Sequence, residues 1–366
     1  MKKLLILMLV SAPVFADYTM VIPQKVGGGT SVWASIVAKE LEKQLDEKIR
    51  LVHIPSARGI GGFNKFHNNL RFDDKTIMVS HGGNGVSFLQ ENVEYNYADY
   101  ESIGLMNLNI IVGRLKDNND KIKFAFGSGQ VPEAMAMSML ICGEPSVKDT
   151  EQAIDCFRDN VTWVKGMKGN ERRLAFKRGE LNVTRENPAA YKKHVESFAG
   201  AEVWFTHGIL NDLGFHEDDI NYPNVQFELL YEQKYGKAPE GEFYDAYKLT
   251  KSFRDGLQKA LWVNAGNPNK DKLIEALRRM TNNPESTNRI MQKVGDYDWV
   301  IGDEGDGMRD TLMSFITEDA LKNLVEFNQK ALDLKSVYKE ELIYTEIPED
   351  LLKAQIPTSG DMIIRG

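Results

Sequence analysis

Residues 18–45 read YTMVIPQKVGGGTSVWASIVAKELEKQL. The first five residues are a β-rich run that ends at Pro23, and three consecutive glycines follow at 27–29. Apolar residues from Trp33 to Leu45 then recur on one helical face, while lysines and glutamates fall elsewhere. The segment is therefore predicted to form a strand, a glycine loop and an amphipathic helix.

The same succession of elements recurs further along the chain. Glycine-bearing loops follow apparent strands at 55–62, 81–85 and 127–129, and a helix is predicted after each. This alternation predicts an α/β fold with mostly parallel sheets. From Gly241 onward the chain is predicted to be mostly helical, and the segment after 338 has no periodicity.

The first sixteen residues have the layout of a secretory signal peptide. Lys2 and Lys3 precede an apolar run of twelve residues, Leu4 to Phe15, which is shorter than the roughly twenty needed to span a bilayer. No cysteine lies near the expected cut after Ala16, so a lipid anchor is not indicated. We expect an exported, periplasmic protein that is not inserted in the membrane after cleavage.

Composition limits the class of partner. The 366 residues are 42% hydrophobic and 27% charged, which suits a substantial core and two domains. The formal net charge is −8, and loss of Lys2 and Lys3 would take it to −10. A nucleic-acid partner, which needs a basic surface, is not expected. Any anion must therefore be held by donors that are aimed locally.

The side chains give no sign of metal or nucleophilic chemistry. The six histidines lack metal-ligand spacing, so neither a metal nor a cofactor is expected. Ser128 is not in a Gly-x-Ser-x-Gly elbow, so nothing local supports a nucleophile. Arg185 is expected to be a solvated surface residue, with pairing to a second carboxylate as the alternative. Trp33 is expected in the core rather than stacked on a ligand.

The two cysteines, Cys142 and Cys156, favour a disulfide in an exported chain. Two free, buried thiols are the alternative. Closing this loop would stabilise the fold by about 3 kcal/mol in the chain-entropy treatment.

Three of the glycine loops, at 27–31, 81–85 and 127–129, carry the candidate ligand-binding residues. Each follows a predicted strand, and the carboxyl ends of strands are where open α/β sheets bind ligands. Glycine lets the backbone approach a ligand, and a helix start adds N–H donors and a partial positive charge. For any single loop a tight turn is the alternative. The predicted residues are Gly27, Gly28, Gly29, Thr30, Ser31, His81, Gly82, Asn84, Ser128 and Gly129. Lys25 and His81 are additional cationic candidates.

Six stretches, in order along roughly 18–335, resemble the Bug proteins, the TctC-like periplasmic binding subunits of tripartite tricarboxylate transporters. Pro23 to Ser31 resembles the family's Pro-x-Gly-Gly-Gly-Thr-Asp opening. The other stretches are 55–62, 97–104, 126–129, 164–166 with 177–183, and 262–268. Ser31 and Asn182 stand where the family usually has Asp, and these departures bear on the identity of the ligand rather than on the fold.

The resemblance implies a two-lobed periplasmic binding protein fold of type II-like topology. Each lobe would be a mostly parallel sheet flanked by helices, with two crossings between the lobes and a carboxylate in the cleft. It also adds Lys165 and Gly166 to the predicted site. We expect a signal peptide at 1–16, a first lobe from 17–115 and 235–337, a second lobe at 116–234 and a C-terminal tail at 338–366.

The expected function is binding, without catalysis. A monomer would capture a small di- or tricarboxylate, or a similar organic acid, and hand it to the membrane subunits of a tripartite tricarboxylate-type transporter. Two alternatives stay open: a periplasmic enzyme acting on a small acid, and a binding protein for another uptake system with an amino acid or phosphate as ligand. A nucleophile within hydrogen-bond reach of a histidine would favour the enzyme.

Overall fold

The structure is a computed structural model. It describes residues 18–334 apart from 57–58, 83–84, 91–92, 117–120, 127–129, 168, 212–213 and 296. The expected signal peptide and C-terminal tail therefore lie outside the described residues. Within the described residues, no helix combines the length and apolar character needed to cross a membrane.

The described strands and helices alternate along most of the chain. The strands are β1 (Tyr18–Ile22), β2 (Ile49–His53), β3 (Thr76–Val79), β4 (Tyr100–Met106), β5 (Ile111–Leu115), β6 (Ile122–Phe126), β7 (Val161–Lys165), β8 (Val183–Glu186), β9 (Ala201–Thr206), β10 (Ile209–Leu210), β11 (His216–Glu217), β12 (Ala260–Asn264) and β13 (Trp299–Ile301). The α-helices are α1 (Gly29–Leu45), α2 (Ile60–Lys65), α3 (Val131–Cys142), α4 (Glu144–Lys148), α5 (Thr150–Asn160), α6 (Gly169–Lys177), α7 (Pro188–Tyr191), α8 (Phe227–Tyr235), α9 (Glu242–Gly256), α10 (Lys270–Thr281), α11 (Pro284–Val294), α12 (Asp303–Met313) and α13 (Glu318–Lys330).

A six-stranded sheet forms the first lobe, with the strand order β13-β4-β12-β3-β1-β2. β1 is parallel to β2 and β3, whereas β12 is antiparallel to β3 and β4, and β13 is antiparallel to β4. The carboxyl ends of β1 to β4 and the amino ends of β12 and β13 therefore lie at one edge of the sheet.

A five-stranded sheet forms the second lobe, with the order β7-β6-β8-β5-β9. β6 is parallel to β7 and β8, and β5 is antiparallel to β8 and β9. The predicted α/β class with two mostly parallel sheets is confirmed. β5 and β12 run antiparallel to their neighbours because each is the first strand after the chain crosses between the lobes. Each therefore starts at the edge of its sheet that faces the other lobe.

The first crossing occupies residues 107–110, between β4 and β5. The predicted division placed residues up to 115 in the first lobe, but β5 pairs with strands of the five-stranded sheet. Asn107 and Asn109 are buried polar residues at this crossing. Their amide groups donate to the Leu210 carbonyl at 2.8 Å and to Asp219 Oδ2 at 2.7 Å.

The predicted apolar face of α1 is buried. Trp33, Val37 and Leu41 are at most 1% exposed, and α1 packs against α10 and α11. The Trp33 ring stacks on Trp299 with centroids 5.7 Å apart. Trp33 is therefore a core residue, as predicted.

One apolar cluster joins the two lobes. It contains Met78 and Trp262 from the six-stranded sheet, Val112 and Phe124 from the five-stranded sheet, and Phe253 from α9. Helix α9 packs against α3 and α4 of the second lobe and against α12 and α13. The lobes thus share part of their core.

The predicted disulfide is present in the second lobe. Cys142, the last residue of α3, is bonded to Cys156 of α5, and their Cα atoms are 6.4 Å apart. The bridge fixes the end of α3 to the helix that packs beside it.

Candidate functional site

The loops after β1, β2 and β3 meet at the edge of the first lobe that faces the second. They enclose a cavity of 650 Å³, called here the loop cavity, lined by Pro23, Gln24, Lys25, Gly28, Gly29, Pro55, Ser56, Gly59 and His81. Gly28, Gly29 and His81, which the sequence placed in two separate loops, are therefore brought together.

The start of α1 presents backbone donors at this edge. Gly27 has a φ of 82°, in the left-handed region that favours glycine, and it turns the chain into the N-cap residue Gly28. Gly28 provides no side-chain cap, and the first intrahelical bond runs from Val32 N–H to its carbonyl. The N–H groups of residues 29–31 have no acceptor within the helix. This end of α1 therefore carries a partial positive charge.

The hydroxyls of Thr30 and Ser31 are hydrogen-bonded inside the protein. Thr30 Oγ1 accepts a hydrogen bond from Lys259 Nζ at 2.8 Å. Ser31 Oγ lies 2.9 Å from His53 Nε2 and accepts the Gly27 N–H at 3.3 Å. Both residues are at most 3% exposed, so their side chains stabilise the loop through contacts inside the protein.

His81 follows β3 and is 8% exposed. Burial, together with the nearby positive charge of Lys259, lowers the pKa of His81 to about 3. The ring is therefore neutral at physiological pH and does not supply the positive charge that the sequence suggested. Gly82 packs against α9, where an added Cβ would lie 2.9 Å from the Arg254 carbonyl oxygen.

The predicted residues of the second lobe contribute less to the described cavities. Lys165 Nζ lies 2.6 Å from Asp333 Oδ2 and over the Trp163 ring, so its charge is engaged at the surface. Neither Lys165 nor Gly166 lines the loop cavity. Asn84, Ser128 and Gly129 lie outside the described residues.

A second cavity, of 280 Å³, lies between the lobes and is called here the lysine cavity. Its wall is formed by Gly29, Val32, Trp33, Met106, Leu108, Asn187, Ala189, Ala190, Lys193, His194, Lys259, Lys293, Val294 and Tyr297. Gly29 lines both cavities, so the start of α1 separates them. Three of the described wall residues are lysines and none is Asp or Glu, although the whole chain has a net charge of −8.

Sequence reasoning missed Lys259. It lies between α9 and β12, in a stretch with no glycine loop or motif. It reaches the cleft because the amino end of β12 lies at the cleft edge, where Ser80 N–H bonds the carbonyl of the next residue, Ala260, at 3.0 Å. Lys259 could have been assigned to the cleft only by knowing that β12 is antiparallel, and local sequence does not reveal the direction of a strand.

Arg185 is not the solvated residue that the sequence suggested. Its side chain is 19% exposed, and Nε lies 3.5 Å from Oε1 of the fully buried Glu133. Arg254 Nη1 lies 2.6 Å from the same oxygen. Burial and the neighbouring Arg254 charge lower the pKa of Arg185 to about 9. The expectation was wrong because Glu133, on α3, approaches β8 only in the folded sheet.

Two arrangements bear on catalysis. Ser31 and His53 form the hydroxyl–imidazole pair described above, but no described carboxylate is seen to orient His53. Asp255 Oδ2 lies 2.8 Å from His207 Nδ1 and 3.4 Å from His216 Nε2, in a group whose side chains are at most 2% exposed. Among the described residues, no group of three or more His, Cys, Asp or Glu is placed to hold a metal ion.

No protein-family model and no curated protein matches the sequence. Solved structures do match. The periplasmic binding protein BugD is 15% identical, with a TM-score of 0.54 over 86% of this chain and 97% of that one. A TctC solute-binding protein from Polaromonas is 13% identical, with a TM-score of 0.56 over 84% and 97%. MatC from Rhodopseudomonas palustris, solved with bound malate, is 14% identical, with a TM-score of 0.53 over 83% and 98%. The chain therefore has the two-lobed fold of Bug- and TctC-type periplasmic binding proteins, as the sequence resemblance predicted.

Proposed function

We propose that the protein is an exported solute-binding protein of the Bug type, which captures a small carboxylate and delivers it to a tripartite tricarboxylate-type transporter. The observation that carries this proposal is the uncapped start of α1, which lies between two cavities whose described walls hold lysines and no carboxylate. Two proteins of the same fold were solved with small carboxylates, MatC with malate and a second R. palustris protein with adipate.

The start of α1 and the cavities beside it suit a carboxylate ligand. A carboxylate oxygen would accept the N–H groups that α1 leaves without intrahelical acceptors, taking the place of a capping side chain. Hydrogen bonds to a charged group contribute about 1.5–3 kcal/mol each, roughly twice the contribution of neutral ones. An acidic protein would otherwise repel the ligand, so donors aimed from the backbone and lysines are what give it affinity.

Capture would proceed by closure of the lobes. The lysine cavity takes wall residues from both lobes, so a ligand there contacts both lobes at once. A ligand favours the closed state only through contacts that the open state lacks. The crossing at 107–110 and the return through α9 are the segments about which the lobes would move.

The proposal is tested by removing one donor. Proline is favoured at the first helical position, and the extended ψ of 160° at Gly28 suits a following proline. Gly29→Pro therefore deletes one N–H without breaking α1. Gly29→Ala keeps the N–H, and its Cβ meets no atom within 4 Å.

Calorimetry with malate and adipate compares these two variants. Gly29→Pro should weaken binding roughly ten- to a hundredfold, while Gly29→Ala should retain it. Equal affinities would exclude the start of α1 as the anion site. Native mass spectrometry of the freshly purified protein should also show a co-purified small acid.

The Ser31–His53 pair favours a second candidate, a hydrolase. Ser31 is 3% exposed and lines neither cavity, so its Oγ is poorly placed for attack. We expect a fluorophosphonate probe to leave the protein unlabelled. Labelling that disappears in Ser31→Ala would support the enzyme instead.

A further inference from the structure

Two lysines at the inter-lobe region differ in their counter-ions. Lys251 of α9 is fully buried, and its Nζ lies 2.6 Å from Glu228 Oε1. Lys259 Nζ donates only to neutral oxygens, to Thr30 Oγ1 at 2.8 Å and to the Gln258 carbonyl at 3.4 Å. Among the described residues, no carboxylate lies within ion-pair distance of Lys259. Of the two lysines, Lys251 is therefore paired with a carboxylate, whereas Lys259 is not paired with any described carboxylate.

The groups that face Lys259 do not neutralise it. The charged or titratable residues that line the lysine cavity with Lys259 are Lys193 and His194 after α7, Lys293 on α11, and Tyr297; His81 after β3 is close enough for the charge of Lys259 to affect its pKa. None of them is a carboxylate: burial raises the pKa of Tyr297, which is therefore uncharged, and burial lowers the pKa of both histidines. Burying an ammonium without an anion is unfavourable, so a carboxylate bound beside Lys259 would stabilise its charged form, which the chain itself does not do.

Most of the remaining wall of the lysine cavity is apolar, and its polar groups are the Asn187 side chain, the Trp33 indole N–H and the Tyr297 hydroxyl. Val32, Trp33, Met106, Leu108, Val294 and Tyr297 contribute aliphatic and aromatic surface. Such a wall suits an unsubstituted carbon chain better than one with hydroxyl groups, because buried hydroxyls need hydrogen-bond partners.

We infer that Lys259 binds a carboxylate of the transported acid directly, and that the lysine cavity selects organic acids with an apolar carbon chain. The inference rests on the proposed function, since it assigns the counter-ion and the ligand class at the same cleft. Adipate should therefore bind more tightly than malate.

Proton uptake distinguishes this role from a structural one. Desolvation lowers the pKa of Lys259 to about 7, so at pH 8 the amine is about nine-tenths neutral without a ligand. A carboxylate in contact favours the charged form and raises the pKa again. Adipate binding at pH 8 should therefore take up close to one proton, which calorimetry detects as a binding heat that depends on the ionisation enthalpy of the buffer.

Variants separate the possible outcomes. Lys259→Gln should weaken adipate binding about thirtyfold or more and abolish proton uptake. Lys259→Arg should keep most of the affinity and also abolish uptake, because the guanidinium is charged throughout. His194→Gln is the control for the imidazole in the described wall and should leave proton uptake unchanged. Uptake that persists in Lys259→Gln, or unchanged affinity, would overturn the inference while leaving the proposed function intact. Failure of wild-type protein to bind either adipate or malate would count against both.

Discussion

The unpaired Lys259 makes a prediction about the stability of the ligand-free protein. A pKa of about 7 instead of 10.5 means that holding the charged form in the folded state costs up to about 5 kcal/mol, at about 1.4 kcal/mol per tenfold change. The residue is partly exposed to the cavity, so screening reduces this figure. Lys259→Met keeps the aliphatic stem and should therefore raise the free energy of unfolding by about 1–3 kcal/mol at pH 6.

The stability gained by Lys259→Met should depend on pH. Between pH 7 and 10.5 the unfolded chain binds a proton at Lys259 that the folded protein has released, so wild-type stability rises with pH through this window. The penalty is complete below pH 7 and is relieved towards pH 10.5. The advantage of Lys259→Met should therefore be present at pH 6 and largely lost at pH 10.

Urea unfolding at the two pH values measures the effect. The matched control is Lys251→Met, which removes a buried lysine from its contact with Glu228 and should destabilise the protein at pH 6. If Lys259→Met destabilises the protein at pH 6, or if its advantage is the same at pH 10, Lys259 is not an uncompensated charge in the folded protein.

Four further outcomes are expected. Adipate should raise the melting temperature and reduce the radius of gyration in solution scattering; a melting shift without compaction would indicate a rigid pocket. Unreduced protein should show no thiol that reacts with a labelling reagent, whereas two reactive thiols per chain would exclude the disulfide. Glu133→Gln should lower the free energy of unfolding by about 3–5 kcal/mol in urea titrations at pH 7, because Arg254 loses its buried anion; a loss below about 1 kcal/mol would contradict this. Lys25→Ala should mainly slow adipate association in stopped-flow measurements, because an exposed charge speeds the encounter with an anion without contacting it in the complex. Lost affinity through faster dissociation would indicate direct contact.

Local patterns in the sequence were sufficient for most of the fold. The glycine loop at 27–29 and the apolar face of α1 depend on neighbours within a few residues, and both were predicted correctly. The pairing of Cys142 with Cys156 required only the count of cysteines and the expected compartment. These features are fixed by short-range geometry.

The cleft depends on contacts that span the chain. Lys259 and Thr30 are 229 positions apart, and they meet because β12 runs antiparallel to its neighbours. Arg185 looked solvated because Glu133 belongs to a different element. Thr30 and Ser31 have the residue types expected of ligand donors, but their hydroxyls bond Lys259 and His53. Side-chain direction in a loop is set by tertiary neighbours, which local sequence does not encode.

The apolar cluster shared by the two sheets has a consequence for cooperativity. Separate cores would let each lobe melt on its own, but residues such as Met78 and Phe124 belong to one continuous cluster that includes Phe253 of α9. We expect the lobes to unfold in a single calorimetric transition, with equal van't Hoff and calorimetric enthalpies. Closure on a ligand is then a bending motion within one folding unit, and an acid bound in the cleft protects the whole molecule, the remote disulfide-bonded helices included, from unfolding.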